Sequence, residues 1–174
     1  MAAKALEPAG LQPSIPEIQR DALIAIYNST NGEGWFSDAN WLGPPGSEAS
    51  WYGVTVENGH VAILDLSLNY LEGTLPPQIG NLKELTELDL WGSDYLPTWP
   101  PFLNNNIGGQ VPPEIGQVRE LEFLDLSLNA FQDPLPADGR HSGVRKSDFL
   151  SEKRHSKCRT PKALPASPSR QRRQ

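Results

Sequence analysis

Three aspartates occupy the same place in three copies of one sequence phrase, and their carboxylates are the groups best suited to chemistry. Asp65, Asp89 and Asp125 each stand in a repeated Leu-Asp-Leu unit. If each copy is a strand in a parallel array, neighbouring aspartates lie about 5 Å apart. Carboxylates at this separation repel one another, and this repulsion would raise their pKa values. The same cluster of negative charge would attract a basic partner or hold a cation. We favour the plainer alternative, in which they are solvated or hydrogen-bond nearby backbone groups.

The sequence lacks the residue patterns of several known catalytic sites. It has no phosphate-binding loop and no His-Glu-x-x-His zinc motif, and Gly32-Glu33-Gly34 is followed by Ser37 where a dinucleotide fingerprint needs its third glycine. His60 is expected in a surface turn, while His141 and His155 lie in a polar C-terminal stretch. We therefore predict no enzyme activity, no catalytic residue, no metal site and no cofactor.

The aspartates belong to a repeat whose spacing predicts the fold. Val61, Leu85 and Leu121 are equivalent positions, and the second interval is half as long again as the first. A first interval in the twenties with Leu-x-x-Leu-x-Leu-x-x-Asn spacing is typical of leucine-rich repeats. Side chains alternate along a strand, so the leucines beside each aspartate point inward and the aspartate points outward. Each repeat supplies one strand, and the strands stack into a curved parallel sheet.

Residues after each strand are expected to turn the chain. Three asparagines follow the second inward leucine at the same offset in each copy, where stacked amides can satisfy buried backbone groups: Asn69, Asn105 and Asn129. Gly73 and Gly109 permit a tight turn, and prolines then suit an extended segment. These prolines are Pro76, Pro112 and Pro136.

Residues 69 to 82 follow the pattern Asn-x-Leu-x-Gly-x-Leu-Pro-x-x-Ile-Gly-x-Leu, and residues 105 to 118 repeat it with Ile and Val substitutions. This pattern resembles the plant-type leucine-rich repeat, a family that includes receptor-kinase ectodomains and secreted inhibitor proteins. The stretch DALIAIYNSTNGEGWFSDANWLG, followed by WYGVTVENGHVAILDL, resembles the capping region that precedes such repeats. The resemblance covers roughly residues 14 to 136.

The capping region departs from the secreted plant pattern Cys-x-Trp-x-Gly-Val-x-Cys, because Ala49 and Val56 stand in place of the cysteines. The remaining motif residues match: Trp51, Gly53 and Val54. The capping disulfide that the family implies cannot form, and Cys158 is the only cysteine. An oxidising compartment is therefore not indicated.

A helix is predicted at the start of the cap. Ser14 and Glu17 form a capping box with Pro16 in the first turn, so the helix should run from about Ile15 to Asn28. Its apolar face is predicted to cover the first repeat and to consist of Ile18, Ala22, Ala25 and Ile26. Three tryptophans should pack between the helix and that repeat: Trp35, Trp41 and Trp51.

The middle repeat is longer than the first, and the excess lies between Leu90 and Asn105. This insertion combines three prolines with four aromatic residues: Trp91, Tyr95, Trp99 and Phe102. Aromatic residues are enriched at binding hot spots, which makes a protruding recognition loop one interpretation. The alternatives are that these side chains fold back over the core, or that the insertion is a gene-model error.

The outward strand positions and the insertion form the predicted binding surface. Solenoids commonly bind partners on their concave side, and the leading hypothesis is a noncatalytic module that recognises a protein or peptide in signalling or defence. The predicted ligand-binding residues are Ile63, Asp65, Glu87, Asp89, Trp91, Tyr95, Trp99, Phe123 and Asp125. The alternative is a fragment of a larger receptor kinase or other repeat-linked signalling enzyme.

The predicted fold class is an α/β repeat, a short leucine-rich-repeat solenoid with a parallel concave sheet, an N-terminal helical cap and a disordered C-terminal tail. We predict a disordered N-terminus at 1–13, a capping region at 14–60, three repeats at 61–136 with an insertion at 91–104, and a basic tail at 137–174. Three repeats are about the minimum for a stable array, so stability should be marginal. No closing cap is evident, so the last strand leaves an edge that can pair with another chain.

Charge changes sign near the predicted end of the repeats. Residues 1 to 138 contain 4 Lys/Arg and 19 Asp/Glu, whereas residues 139 to 174 contain 11 and 2. The basic tail could bind nucleic acid, an anionic membrane surface or an import receptor, or fold back on the acidic body. The plainer alternatives are a solvated linker or translation beyond the true reading frame. Nucleic-acid binding is not expected elsewhere in the chain.

No signal sequence or membrane span is evident. Residues 1–13 lack a continuous apolar core, and no apolar run is long enough to cross a bilayer. We therefore favour an intracellular protein, or an extracellular or membrane-linked one if the N-terminus is incomplete.

Overall fold

The computed structural model describes residues 15–92 and 104–132. The predicted N-terminus 1–13, the tail 137–174 and all of the insertion except its ends lie outside these ranges, as do Ser14, Tyr95, Trp99, Phe102 and Cys158. Within the described ranges no helix is long and apolar enough to cross a membrane.

One α-helix, α1 (Glu17–Ser29), opens the described chain, close to its predicted range. Pro16 stands at the N-cap position, and no side chain caps the helix there. The buried face consists of Gln19, Ala22, Leu23, Ile26 and Tyr27.

The predicted helix face is wrong at its first position, because Ile18 is 56% exposed. Two overlapping stripes with a period of about 3.6 residues run along this helix, and the stripe that contains Leu23 and Tyr27 buries the larger side chains. Gln19 is tolerated on that face because its amide is engaged in hydrogen bonds, as described below.

Within the described residues, seven short strands form two sheets. They are β1 (Val54–Glu57), β2 (His60–Asp65), β3 (Glu72–Thr74), β4 (Glu87–Asp89), β5 (Asn106–Gly109), β6 (Phe123–Asp125) and β7 (Ala130–Phe131). The first sheet, called here the concave sheet, has the order β1-β2-β4-β6. Its strands are parallel from β2 to β6, and β1 adds an antiparallel edge from the capping region.

A second sheet, β3-β5-β7, also runs parallel and is not predicted by the repeat pattern. It forms where the chain turns after the asparagines. Gly73 and Gly109 both adopt positive φ, at 117° and 72°, as expected for glycine at a tight turn. A Cβ atom on Gly73 would collide with the backbone carbonyl of Ser29, so this glycine also lets the repeat pack closely against the end of α1.

A continuous hydrophobic core lies between the two sheets. Each repeat contributes three inward residues that are at most 4% exposed: Val61, Leu64 and Leu66, then Leu85, Leu88 and Leu90, then Leu121, Leu124 and Leu126. The chain returns from one sheet to the other through 3-10 helices, Pro77–Asn81 and Pro113–Gln117, whose buried side chains include Ile79 and Ile115. The repeat register predicted from the sequence is confirmed.

The asparagine ladder is also confirmed. Asn105 Oδ1 accepts hydrogen bonds from the backbone N–H groups of Asn69 and Leu71, each at 3.0 Å. Its Nδ2 donates to the carbonyl oxygens of Leu66 and Leu90 at 2.8 and 3.1 Å. Asn69 and Asn129 bond neighbouring backbone in the same manner. Each amide therefore joins its own turn to the turn beside it.

The three capping tryptophans are buried, as predicted. Trp35 and Trp41 meet edge to face with ring centroids 4.8 Å apart, and Trp41 lies 4.9 Å from Trp51. Tyr27 of α1 joins the cluster, 5.1 Å from Trp35. Such pairs stabilise beyond their buried area, by about 0.5 to 1.5 kcal/mol each. The cluster attaches α1 to the first strands without any disulfide.

Candidate functional site: the outer face of the concave sheet

The concave sheet has one face turned toward the hydrophobic core and one face turned away from it, which is called here the outer face. The outer face carries two rows of side chains. Strand pairing places Thr55, Ile63, Glu87 and Phe123 side by side in the first row. The second row consists of Asp65, Asp89 and Asp125. Phe123 is 40% exposed, although it is a large apolar side chain. The structure therefore brings together seven of the nine residues predicted to bind a ligand, if Trp91 just after β4 is counted.

Each aspartate of the second row hydrogen-bonds the turn that follows its own strand. Asp65 Oδ1 accepts from the Ser67 N–H at 3.1 Å and from the Ser67 hydroxyl at 2.7 Å. Asp125 makes the same pair of bonds with Ser127, at 2.9 and 2.5 Å. Asp89 Oδ1 accepts the Trp91 N–H at 3.0 Å. These bonds match the plainer alternative, in which the aspartates cap backbone groups.

The central aspartate is electrostatically unusual. The pKa of Asp89 is raised to about 7. Burial is the largest cause, repulsion from Asp65, Asp125 and Glu87 contributes to the rise, and the hydrogen bond from the Trp91 N–H opposes it. The carboxyl group lies in the middle of the row, with an acid on either side, on a half-buried residue. Its charge is therefore present only from near neutral pH upward.

Negative charge dominates this face. The four strands of the concave sheet contain Glu57, Asp65, Glu87, Asp89 and Asp125, and none of their residues is Lys or Arg. Among the described residues, no group of three His, Cys, Asp or Glu side chains is arranged to hold a metal ion. The arrangement offers acceptors and apolar surface, which suit recognition by complementarity.

Tyr52 belongs to this face, although the repeat pattern does not point to it. It is exposed and immediately precedes Gly53, whose carbonyl accepts the Asp65 N–H at 2.8 Å. Burial raises the pKa of Tyr52, and the nearby Asp65 carboxylate raises it further. The hydrogen bond between Gly53 and Asp65, just before the paired residues of β1, brings Tyr52 near Asp65 at one end of the aspartate row. The motif Trp-Tyr-Gly-Val is visible in the sequence, but its pairing partner is not.

Trp91 connects the face to the start of the insertion. Its side chain is half-buried, and its carbonyl accepts the Leu68 N–H at 2.9 Å and the Asn105 amide at 3.1 Å. The backbone of Trp91 is thus held in the ladder. Tyr95 and Trp99 lie outside the described residues.

His60 takes part in a polar contact with Gln19 of α1 and with Glu84. His60 begins β2, and its Nδ1 lies 3.2 Å from Gln19 Nε2 and 3.6 Å from Glu84 Oε2. Gln19 Nε2 also donates to Glu84 at 2.5 Å, while Gln19 Oε1 accepts the buried Val61 N–H at 2.9 Å. This group links α1 to the first two repeats and is a structural contact.

A family model for the Leucine Rich Repeat matches residues 60–82 of the chain. The Arabidopsis thaliana protein MALE DISCOVERER 2 is 38% identical over 73 residues, which cover 41% of this chain and 11% of that protein. The match is thus with a small part of a much longer relative.

Two solved structures share the fold. The PEPR1-AtPEP1 structure superposes with a TM-score of 0.51 at 25% identity, over 67% of this chain and 15% of that one. The ectodomain of the Arabidopsis thaliana receptor kinase GASSHO1/SCHENGEN3, in complex with CASPARIAN STRIP INTEGRITY FACTOR 2, gives 0.54 at 26% identity, over 65% and 12%. Together with the repeat register and the asparagine ladder, these matches show that the chain has a leucine-rich-repeat fold of the plant type.

Proposed function

We propose that this chain is a noncatalytic module that recognises a protein or peptide in signalling or defence. Binding uses the outer face of the concave sheet, with Ile63, Asp65, Glu87, Asp89, Trp91, Phe123 and Asp125, to which we add Tyr52. Tyr95 and Trp99 of the insertion are proposed to extend this surface. The observation that carries the proposal is Phe123, which is held 40% exposed on a hydrogen-bonded strand beside a row of carboxylates.

Rigid strands support this proposal. Aromatic side chains that a scaffold holds in place lose little conformational entropy on binding, and they are typical anchors of interfaces. The two solved structures named above each include a second component, AtPEP1 with PEPR1 and CASPARIAN STRIP INTEGRITY FACTOR 2 with GASSHO1/SCHENGEN3. The likeness to these proteins favours a peptide or protein ligand over a small molecule.

The test is capture of a partner from the source organism, followed by affinity measurements on matched alanine variants. Phe123→Ala should weaken binding by about 1 to 2 kcal/mol, or roughly 5- to 30-fold, because it removes a desolvated anchor. Phe36→Ala is the control, since Phe36 is 64% exposed but lies in the capping region. Circular dichroism must show both variants folded. Equal affinities for both variants and the unaltered chain would refute the concave-face proposal.

The insertion is tested separately. If the insertion forms part of the binding surface, the double variant Trp91→Ala and Trp99→Ala should bind the same partner more weakly than the unaltered chain does. Unchanged affinity in a folded variant would restrict the binding surface to the sheet.

The alternative is that these residues act within a larger signalling protein. It is favoured by the coverage of the relatives, since this chain spans 11% of MALE DISCOVERER 2. The intact mass of the native protein decides between them. A mass of 19.2 kDa supports a small recognition module, whereas a much larger mass places the repeats in a multidomain protein.

A further inference from the structure

The outer face of the concave sheet has a charge and a shape that the same chain can match. Its four strands carry five carboxylates and no Lys or Arg. The helix α1 packs on the other side of the repeats, against β3 and the 3-10 helix Pro77–Asn81. Phe123, in the same row as Glu87, and Tyr52 expose apolar surface near the row of aspartates. An extended basic segment fits such a face, because its charges can pair with the rows while its aliphatic stems cover the apolar groups.

The chain contains such a segment. Residues 139–174 hold 11 Lys/Arg and 2 Asp/Glu, whereas the described residues hold 3 Lys/Arg and 15 Asp/Glu. Of those three cations, Arg20 is already paired with the buried Glu48. Most of the positive charge that could neutralise the concave face therefore lies in residues 139–174.

Reach does not limit this pairing. The chain from position 133 to position 174 can span up to about 140 Å when extended. The four strands of the concave sheet together are only about 14 Å wide. Because both parts belong to one chain, the interaction is concentration-independent, which favours it over binding a separate basic molecule.

We propose that the basic segment 139–174 docks on the outer face of the concave sheet and competes there with the external partner. Contacts are expected between its Lys and Arg side chains and the carboxylates of Glu87, Asp89 and Asp125. The partner of the proposed function must then displace this segment, so binding strengthens when the segment loses charge. After burial, the neighbouring acids contribute to the raised pKa of Asp89, and a docked cation would oppose their part of the rise.

The experiment uses the full chain and its single cysteine. Cys158 lies within the sequence KRHSKCR, so a nitroxide attached there reports which backbone amides the segment approaches. Docking predicts paramagnetic broadening of amides in β4 and β6, with much less in β3 and β5 on the opposite sheet. Raising the salt from about 0.05 M to about 0.5 M should remove more than half of this broadening, because screening weakens exposed charge pairs.

Matched charge variants locate the contact. Glu87→Gln with Asp125→Asn should reduce the broadening of β4 and β6 at least twofold. Glu72→Gln with Glu33→Gln changes the same net charge at exposed positions away from this face and should leave the broadening unchanged. Broadening that is absent, uniform over both sheets, or equally sensitive to both pairs would overturn the docking proposal.

Failure here is separable from failure of the proposed function, on which the competition rests. The docking measurement needs no external partner, and partner capture with Phe123→Ala needs no label on Cys158. If a partner binds but the salt-sensitive broadening is absent, the docking proposal is contradicted and the proposed recognition function is retained. If the salt-sensitive broadening is observed but no external partner is captured, the docking proposal is supported and the proposed recognition of an external ligand is contradicted.

Discussion

At the scale of single residues, buried amides and one carboxyl group carry much of the specificity of this fold. Asn105 is buried and makes hydrogen bonds with two N–H groups and three carbonyl oxygens, those of Leu66, Leu90 and Trp91. No other side chain of similar size can satisfy donors and acceptors at once in this position. The asparagine is thus required by the backbone that surrounds it.

Replacing Asn105 by Ala should destabilise the protein by about 3 kcal/mol or more, because several buried backbone groups lose their partner. Urea denaturation followed by tryptophan fluorescence measures the change. Asn106→Ala is the matched control, since Asn106 is exposed and adjacent, and it should cost less than about 0.5 kcal/mol. Similar losses for both variants would contradict the ladder as a main source of stability.

Asp89 should make stability depend on pH. The fold raises its pKa from 3.8 to about 7, so the native state binds more protons than the unfolded state between these values. Its contribution to stability is present below about pH 4 and is lost as the pH rises through about 7. Asp89→Asn keeps the acceptor for the Trp91 N–H and removes the charge.

The variant Asp89→Asn should therefore melt at a higher temperature than the unaltered protein at about pH 8, and the difference should shrink toward about pH 5. Thermal melts at the two pH values measure this. Asp65→Asn, at an exposed position of the same row, serves as the control and should show a smaller pH-dependent difference. If the unaltered protein melts at a higher temperature than Asp89→Asn at about pH 8, the charge of Asp89 does not destabilise the fold.

At the scale of elements, a buried ion pair lies in the cap next to Ala49, one of the two positions where the family resemblance implies a cysteine. Arg20 of α1 pairs with the buried Glu48, and Arg20 Nη2 donates to the Gly43 carbonyl at 2.5 Å. The guanidinium also lies 4.9 Å from the ring centre of Trp51. These contacts attach α1 to the segment that carries Ala49, and no disulfide takes part in them.

Arg20→Met should cost about 3 kcal/mol or more, because it leaves Glu48 buried and uncompensated. Adding Glu48→Gln should recover much of this loss, since the amide oxygen can still accept the Gly46 N–H bond that Glu48 now accepts at 2.9 Å. Urea denaturation of the three proteins measures the recovery. A double variant no more stable than Arg20→Met would contradict the charge-based explanation.

At the scale of the whole molecule, the cap and the repeats form one hydrogen-bonded unit. Gln19 joins α1 to β2 through Val61 and to the second repeat through Glu84. On the other side of the cap, Asn69 bonds both backbone groups of Ser37. Because a short array has few interfaces between repeats, such links should make unfolding cooperative.

Gln19→Leu should destabilise the protein by about 1 to 3 kcal/mol, because the Val61 N–H is buried and loses its acceptor. Hydrogen exchange should accelerate together in α1 and in β2, since the two open as a unit. Gln78→Leu, at an exposed position in a 3-10 helix, is the control and should leave exchange unchanged. Faster exchange in α1 alone would show that the cap unfolds independently.

The outer strands of the solenoid bear on its assembly. Within the described residues, β6 and β7 are the last strands of the two sheets and belong to the same repeat. An uncovered strand edge can pair with another chain. Self-association through this edge therefore stays a prediction, as do the domain boundaries inferred from the sequence.

Repeat spacing alone is enough to predict the strand register, the inward leucines, the aspartate row and the asparagine ladder. The reason is physical, because a residue that recurs once per repeat must stack on its equivalents when the repeats pack side by side. The positive φ of Gly73 and Gly109 agrees with the tight turns that the sequence predicts at these two glycines.

Tertiary packing decided the features that no period encodes. The buried face of α1 depends on what the helix docks against, so the prediction for Ile18 is wrong and Gln19 is not predicted to be buried. The approach of Tyr52 to Asp65 and the pairing of Arg20 with Glu48 join distant positions of the chain through irregular loops. The paths of such loops depend on long-range contacts, and these are settled only when the cap closes on the first repeat.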